Sequence, residues 1–101
     1  MWQVMSGLEY CHVTNNGACV GDDTGNGASD ERCTVRAARS LYATATYFQV
    51  EGYFDRITIG GSNFRGYSGP ANVQMDAGAM LTWYTYYSNG MSGFTICGTP
   101  I

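Results

Sequence analysis

A chain of 101 residues with a formal net charge of −3 has material for one hydrophobic core and no room for a second. Hydrophobic residues make up 45% and charged residues 13%, which excludes a disordered chain and a highly charged coiled coil. All five basic residues are arginines, at positions 32, 36, 39, 56 and 65; scattered in this way they form no basic stripe, and a nucleic-acid partner is not expected.

Residues 1–10 carry no basic cluster and no unbroken apolar run, so they do not read as a signal peptide. They are nevertheless apolar at Trp2, Val4, Met5, Leu8 and Tyr10, and an apolar terminus frays unless something holds it. The expectation is a strand that joins its own sheet or the open edge of a neighbouring subunit, with Trp2 as a contact residue. A short strand over Ala18–Val20 is followed by the polar stretch 21–31, read as a loop whose Asp22, Asp23, Asp30 and Glu31 are solvated. Cys33–Ala37 is the next strand. Residues 41–50 then alternate between two faces and are rich in aromatic and β-branched types. Further strands are expected at Arg56–Ile59, Asn72–Met75, Ala79–Tyr87 and Phe94–Cys97. The turns between them fall at Gly60-Gly61-Ser62-Asn63, Ser68-Gly69-Pro70, Asp76-Ala77-Gly78 and Ser88-Asn89-Gly90.

Strands recurring every 8 to 12 residues with polar turns between them predict an all-β domain, an antiparallel β-sandwich or jelly roll over residues 11–97. Its core should hold Trp83 with Leu81, Phe48, Ile57, Ile59 and Phe94, because these fall on one face of the clearest strands. Thr82, Tyr84 and Tyr86 fall on the other. No run approaches the ~18 apolar residues of a membrane span.

Four cysteines, Cys11, Cys19, Cys33 and Cys97, form no C-x-x-C pair, and His12 is the sole imidazole, so a zinc site is a poor fit. Two disulfides fit better and imply an oxidising compartment, extracellular or secretory. Their connectivity is open among three possibilities. No N-x-Ser/Thr acceptor occurs, whereas O-glycosylation of the many Ser and Thr residues stays open.

From about Gly17 to Cys97 the order of motifs resembles that of the CUB domain, an extracellular jelly roll of about this length. The residues concerned are Phe48-Gln49-Val50-Glu51, Tyr53-Phe54-Asp55-Arg56-Ile57-Thr58-Ile59-Gly60, Tyr67-Ser68-Gly69-Pro70, Thr82-Trp83, Ser88 and Gly93-Phe94. The chain departs from the family where Gly21-Asp22-Asp23-Thr24 stands in place of a proline-rich turn. It also lacks the second cysteine pair between Glu51 and Asp55, and Cys19 and Cys97 are additional. The resemblance implies pairing of Cys11 with Cys33, leaving Cys19 for Cys97; the rival is Cys11 with Cys19 and Cys33 with Cys97. It also implies a calcium site with Glu51 and Asp55 as ligands, although its third carboxylate position falls on Tyr86, a poor ligand for a hard cation. Against calcium stands the plainer reading that Asp55 accepts turn amides or pairs with Arg56 or Arg65, with no cofactor.

Catalysis is not expected: His12 adjoins a cysteine and no triad partners surround it, and Glu51 with Asp55 define no cleft. Tyrosine is the surplus. Tyr84, Tyr86 and Tyr87 cluster, and with Tyr42, Tyr47, Tyr53 and Tyr67 exceed what one thin core hides. Cross-strand pairing, a sugar-stacking platform and a subunit interface compete to explain them. The reading is a non-catalytic extracellular structural or adhesive module, a subunit of a larger homo-oligomer or polymer such as a filament or matrix. The alternative is a CUB-type recognition domain for glycan or protein ligands, with or without calcium.

Overall fold

Alternation of apolar and polar residues lets each strand bury one face, and two sheets that do so must pack against each other. The computed structural model describes residues 1–22, 31–50, 55–84 and 93–101. Among these residues the strands are β1 (Trp2–Ser6), β2 (Cys11–Thr14), β3 (Cys19–Asp22), β4 (Arg32–Ala37), β5 (Leu41–Gln49), β6 (Arg56–Ile59), β7 (Ser62–Phe64), β8 (Val73–Met75), β9 (Met80–Tyr84) and β10 (Gly93–Pro100). They form two five-stranded sheets, a first in the order β1-β4-β9-β6-β7 and a second in the order β2-β3-β10-β5-β8. Every pairing is antiparallel. No described helix is long and apolar enough to cross a membrane.

The core lies between the sheets. Trp83, Leu81 and Ile57 of the first sheet and Phe94, Ile96 and Leu41 of the second are each at most 1% exposed. Trp83 and Phe94 meet across the interface with ring centroids 4.9 Å apart, within the range where tilted aromatic pairs attract. Ile59 is buried as expected, whereas Phe48 is half-buried and packs against the edge of the core.

A bulge in β5 explains why Phe48 turns inward at all. Ile96 of β10 pairs with Ala45 and Thr95 with Tyr47, so Thr46 is an extra residue on β5. The extra residue reverses the alternation, which moves Tyr47 to the outside, 51% exposed, and Phe48 to the inside.

Both disulfides join residues far apart in sequence. Cys11 of β2 bridges Cys33 of β4 across the two sheets, and Cys19 of β3 bridges Cys97 on the adjacent β10. This is the pairing that the resemblance implies, and the described chain has no free cysteine. Closing segments of 22 and 78 residues restricts the unfolded chain by about 3 and 4.5 kcal/mol respectively in the chain-entropy model.

Two expectations are corrected, those for Trp2 and for Ser62-Asn63. Trp2, expected on a contact surface, is 6% exposed, and its indole N–H donates to the Ala18 carbonyl at 2.9 Å. Of the two pairings expected for the N-terminal strand, β1 makes the one within its own sheet, with β4. Ser62 and Asn63, read as turn, begin β7, because the Gly60-Gly61 pair alone makes the hairpin between Ile59 and Ser62.

Candidate functional site

The register of the first sheet decides what its outer face carries. Arg32 of β4 stands opposite Tyr84 of β9, and Arg56 of β6 stands opposite the same tyrosine from the other side. Since Cys33, Trp83 and Ile57 point inward, their neighbours Arg32, Tyr84 and Arg56 point outward as one cross-strand row. Both guanidinium carbons lie 4.7 Å from the centre of the Tyr84 ring, and the Arg32 guanidinium also reaches the Tyr84 hydroxyl at 3.5 Å. The ring quadrupole attracts each cation and holds it in place. Arg36, two positions along β4 from the outward Thr34, adds a third arginine to the face and donates to the Gln3 side chain at 3.4 Å. None of the five strands contains an aspartate or glutamate. The arginines that look scattered along the chain are therefore gathered, three of the five on one side.

Parallel to that row runs a second, of hydroxyls. Thr34, Thr82 and Thr58 stand opposite one another on β4, β9 and β6, and Asn63 of β7 continues the line. The Thr58 hydroxyl donates to Asn63 Oδ1 at 2.7 Å.

Three described carboxylates lie at or next to strand ends, Glu31 just before β4, Asp55 just before β6 and Asp22 at the end of β3. Glu31, expected in solvated loop, is 5% exposed and accepts from the Trp83 indole N–H at 3.3 Å. Burial there satisfies the one polar atom of the central core residue. Asp55 is fully buried at the start of β6. The Asp22 side chain accepts from the Phe94 backbone N–H at 3.0 Å, tying β3 to the start of β10. Of the two expected calcium ligands only Asp55 is described; Glu51 lies outside the described residues. Among those residues no group of three or more His, Cys, Asp or Glu side chains is placed to hold a metal ion. Asp55 is not without a partner, and Arg56 reaches over the Tyr84 ring.

The second sheet presents a different surface. Its strands contain no arginine and a single acid, Asp22, which is turned inward onto Phe94. Outward lie Tyr42, 38% exposed, and Tyr47, 51% exposed, both on β5, together with threonines, glutamines and the Cys19–Cys97 bridge. The Tyr47 hydroxyl donates to the Gln49 side chain at 3.0 Å. Tyr67, 80% exposed, follows β7. Of the tyrosines expected to make contacts, Tyr84 is half-buried between two arginines, and Tyr86 and Tyr87 lie outside the described residues. On the second sheet Tyr42 and Tyr47 carry the exposed rings; the alternation of residues 41–50 marks Tyr42, whereas Tyr47 needs the bulge.

No family model, curated protein or solved structure matches this chain. The chemistry of the site therefore rests on its own side chains. One outer face supplies fixed cations beside hydroxyls, and the other supplies exposed rings without charge.

Proposed function

We propose that this chain is a non-catalytic extracellular module that works by surface contact, a subunit of a larger assembly of its own copies. The observation that supports this most is the uncharged outer face of the second sheet, with Tyr42 and Tyr47 exposed on it. Buried interface centres are depleted in charge and enriched in tyrosine. Two copies joined through such faces bring no like charges together, whereas joining the arginine faces would oppose cations. Two disulfides support an oxidising, extracellular setting for the assembly. The test is solution mass at micromolar concentration for the wild-type chain and for Tyr47→Asp. A wild type larger than one chain, with a monomeric variant of unchanged melting temperature, supports the reading. A wild type that stays monomeric across the range removes it.

A second reading is recognition of carbohydrate or protein ligands by a CUB-like jelly roll. The row Arg32, Tyr84 and Arg56 favours it. Its calcium-dependent form predicts a melting curve that responds to chelator, since an ion at a hundred times its dissociation constant adds about 2.7 kcal/mol. An unchanged curve retires that form.

A further inference from the structure

We infer that the outer face of the first sheet is a binding site for a polyanionic polysaccharide, a chain bearing sulfate or carboxylate groups. This rests on the second reading above and names the ligand class.

Charge is the first argument. Arg32 and Arg56 share one tyrosine ring, each 4.7 Å from its centre, so the two cations lie no farther apart than about a Debye length. Among the described residues their contacts are that ring and its hydroxyl, with no carboxylate. Like charges held on either side of one ring repel, and the repulsion is relieved by an anion that spans both from the solvent side. The protein as a whole carries −3, so the site is not a by-product of a generally basic surface.

Geometry is the second. A cation clasped on an aromatic ring has lost much of its rotamer freedom before any ligand arrives, which lowers the entropy cost of binding. Guanidinium forks match the planar or tetrahedral oxygens of carboxylate and sulfate groups.

Neighbouring hydroxyls separate a saccharide from other polyanions. Next to the arginine row lies the line of Thr34, Thr82, Thr58 and Asn63, hydroxyl and amide groups that pair with sugar hydroxyls. Nucleic acid recognition of a single strand uses aromatic faces open for base stacking. Here the one ring of the row is already covered by guanidinium groups. An extended polysaccharide laid across the sheet meets cations on one row and hydroxyls on the next.

The experiment uses heparin, a carboxylated polyuronate without sulfate, neutral dextran and single-stranded DNA as probes, with calorimetry and column retention as readouts. Wild-type protein should bind heparin or the polyuronate, should ignore dextran, and should release on added salt. The double variant Arg32→Gln and Arg56→Gln should lose about tenfold or more in affinity, the consequence of removing charge-assisted hydrogen bonds. Arg65→Gln, an exposed arginine beyond β7, should bind as wild type. Replacement of both by lysine should retain part of the affinity. Variants are compared only at matched melting temperature. Should Arg65→Gln lose as much as the double variant, or DNA bind as tightly as heparin, charge alone is acting and the site is refuted. Binding of neutral glycans without either polyanion would refute the ligand class and leave carbohydrate recognition standing; binding of no glycan at all would remove both.

Discussion

The outward faces of the two sheets are built from equal numbers of strands and share threonine as a common filler, yet their charge differs completely. Three arginines and no acid occupy the strands of the first sheet; the second has no arginine and turns its one acid inward. Folding does not demand this. Inward positions are constrained by close packing, where one methylene is felt, while outward positions tolerate most residues at little cost. A systematic difference between two faces that the core leaves free is therefore what the two proposals, self-assembly through one face and polyanion binding on the other, are built on.

Trp83→Ala should disrupt both faces at once, because it removes the packing that both depend on. It should cost roughly 3–5 kcal/mol, lowering the melting temperature by about 4–8 °C for each of those kcal/mol. A loss below 1 kcal/mol would show that the sheets pack elsewhere. Replacing Cys11 and Cys33 together by alanine should cost about 3 kcal/mol, mostly through the unfolded chain, and denaturant unfolding measures it. Glu31→Ala leaves the buried Trp83 N–H without its acceptor and should cost about 1–3 kcal/mol; Glu31→Gln should recover part of that, and failure to do so would assign the loss to packing.

Smaller effects sharpen the contrast. Tyr84→Leu removes the ring that holds Arg32 and Arg56 and should cost no more than about 1 kcal/mol of stability, while polyanion binding weakens. Tyr47→Asp, on the opposite face, should change stability by less than about 0.5 kcal/mol. Polyanion binding by this variant should equal wild type, and self-association should fall. If each variant affects both properties alike, the faces do not act separately.

Much of the fold is legible in the sequence because alternation is a local signal. Leu81 and Trp83 against Thr82 and Tyr84 can be sorted from five consecutive residues, and Arg56–Ile59 is read with its observed limits. Short strands are harder: β7 is hidden because Ser62 and Asn63 are turn-forming types, and only their pairing with Ile59 and Thr58 makes them strand. The bulge at Thr46 leaves no mark in composition, so the outward turn of Tyr47 is not legible, although Phe48 is expected in the core and packs against it. Neither is the arginine face visible, since Arg32 and Arg56 are 24 positions apart by number and meet only through the register of β9. Glu31 is misread for a different reason: its neighbours are polar, but its partner is a tryptophan 52 residues away.

The two crosslinks overlap along the chain, one running from residue 11 to 33 and the other from 19 to 97. A protease cutting once anywhere between residues 11 and 97 therefore yields two pieces that stay covalently attached, and a cut between 19 and 33 leaves them joined twice. Such a nicked molecule keeps its mass on a non-reducing gel and separates only when a thiol is added. In a protease-rich extracellular setting, damage to one connecting segment would leave the strands on either side tethered at high effective concentration, able to re-pair without diffusing apart.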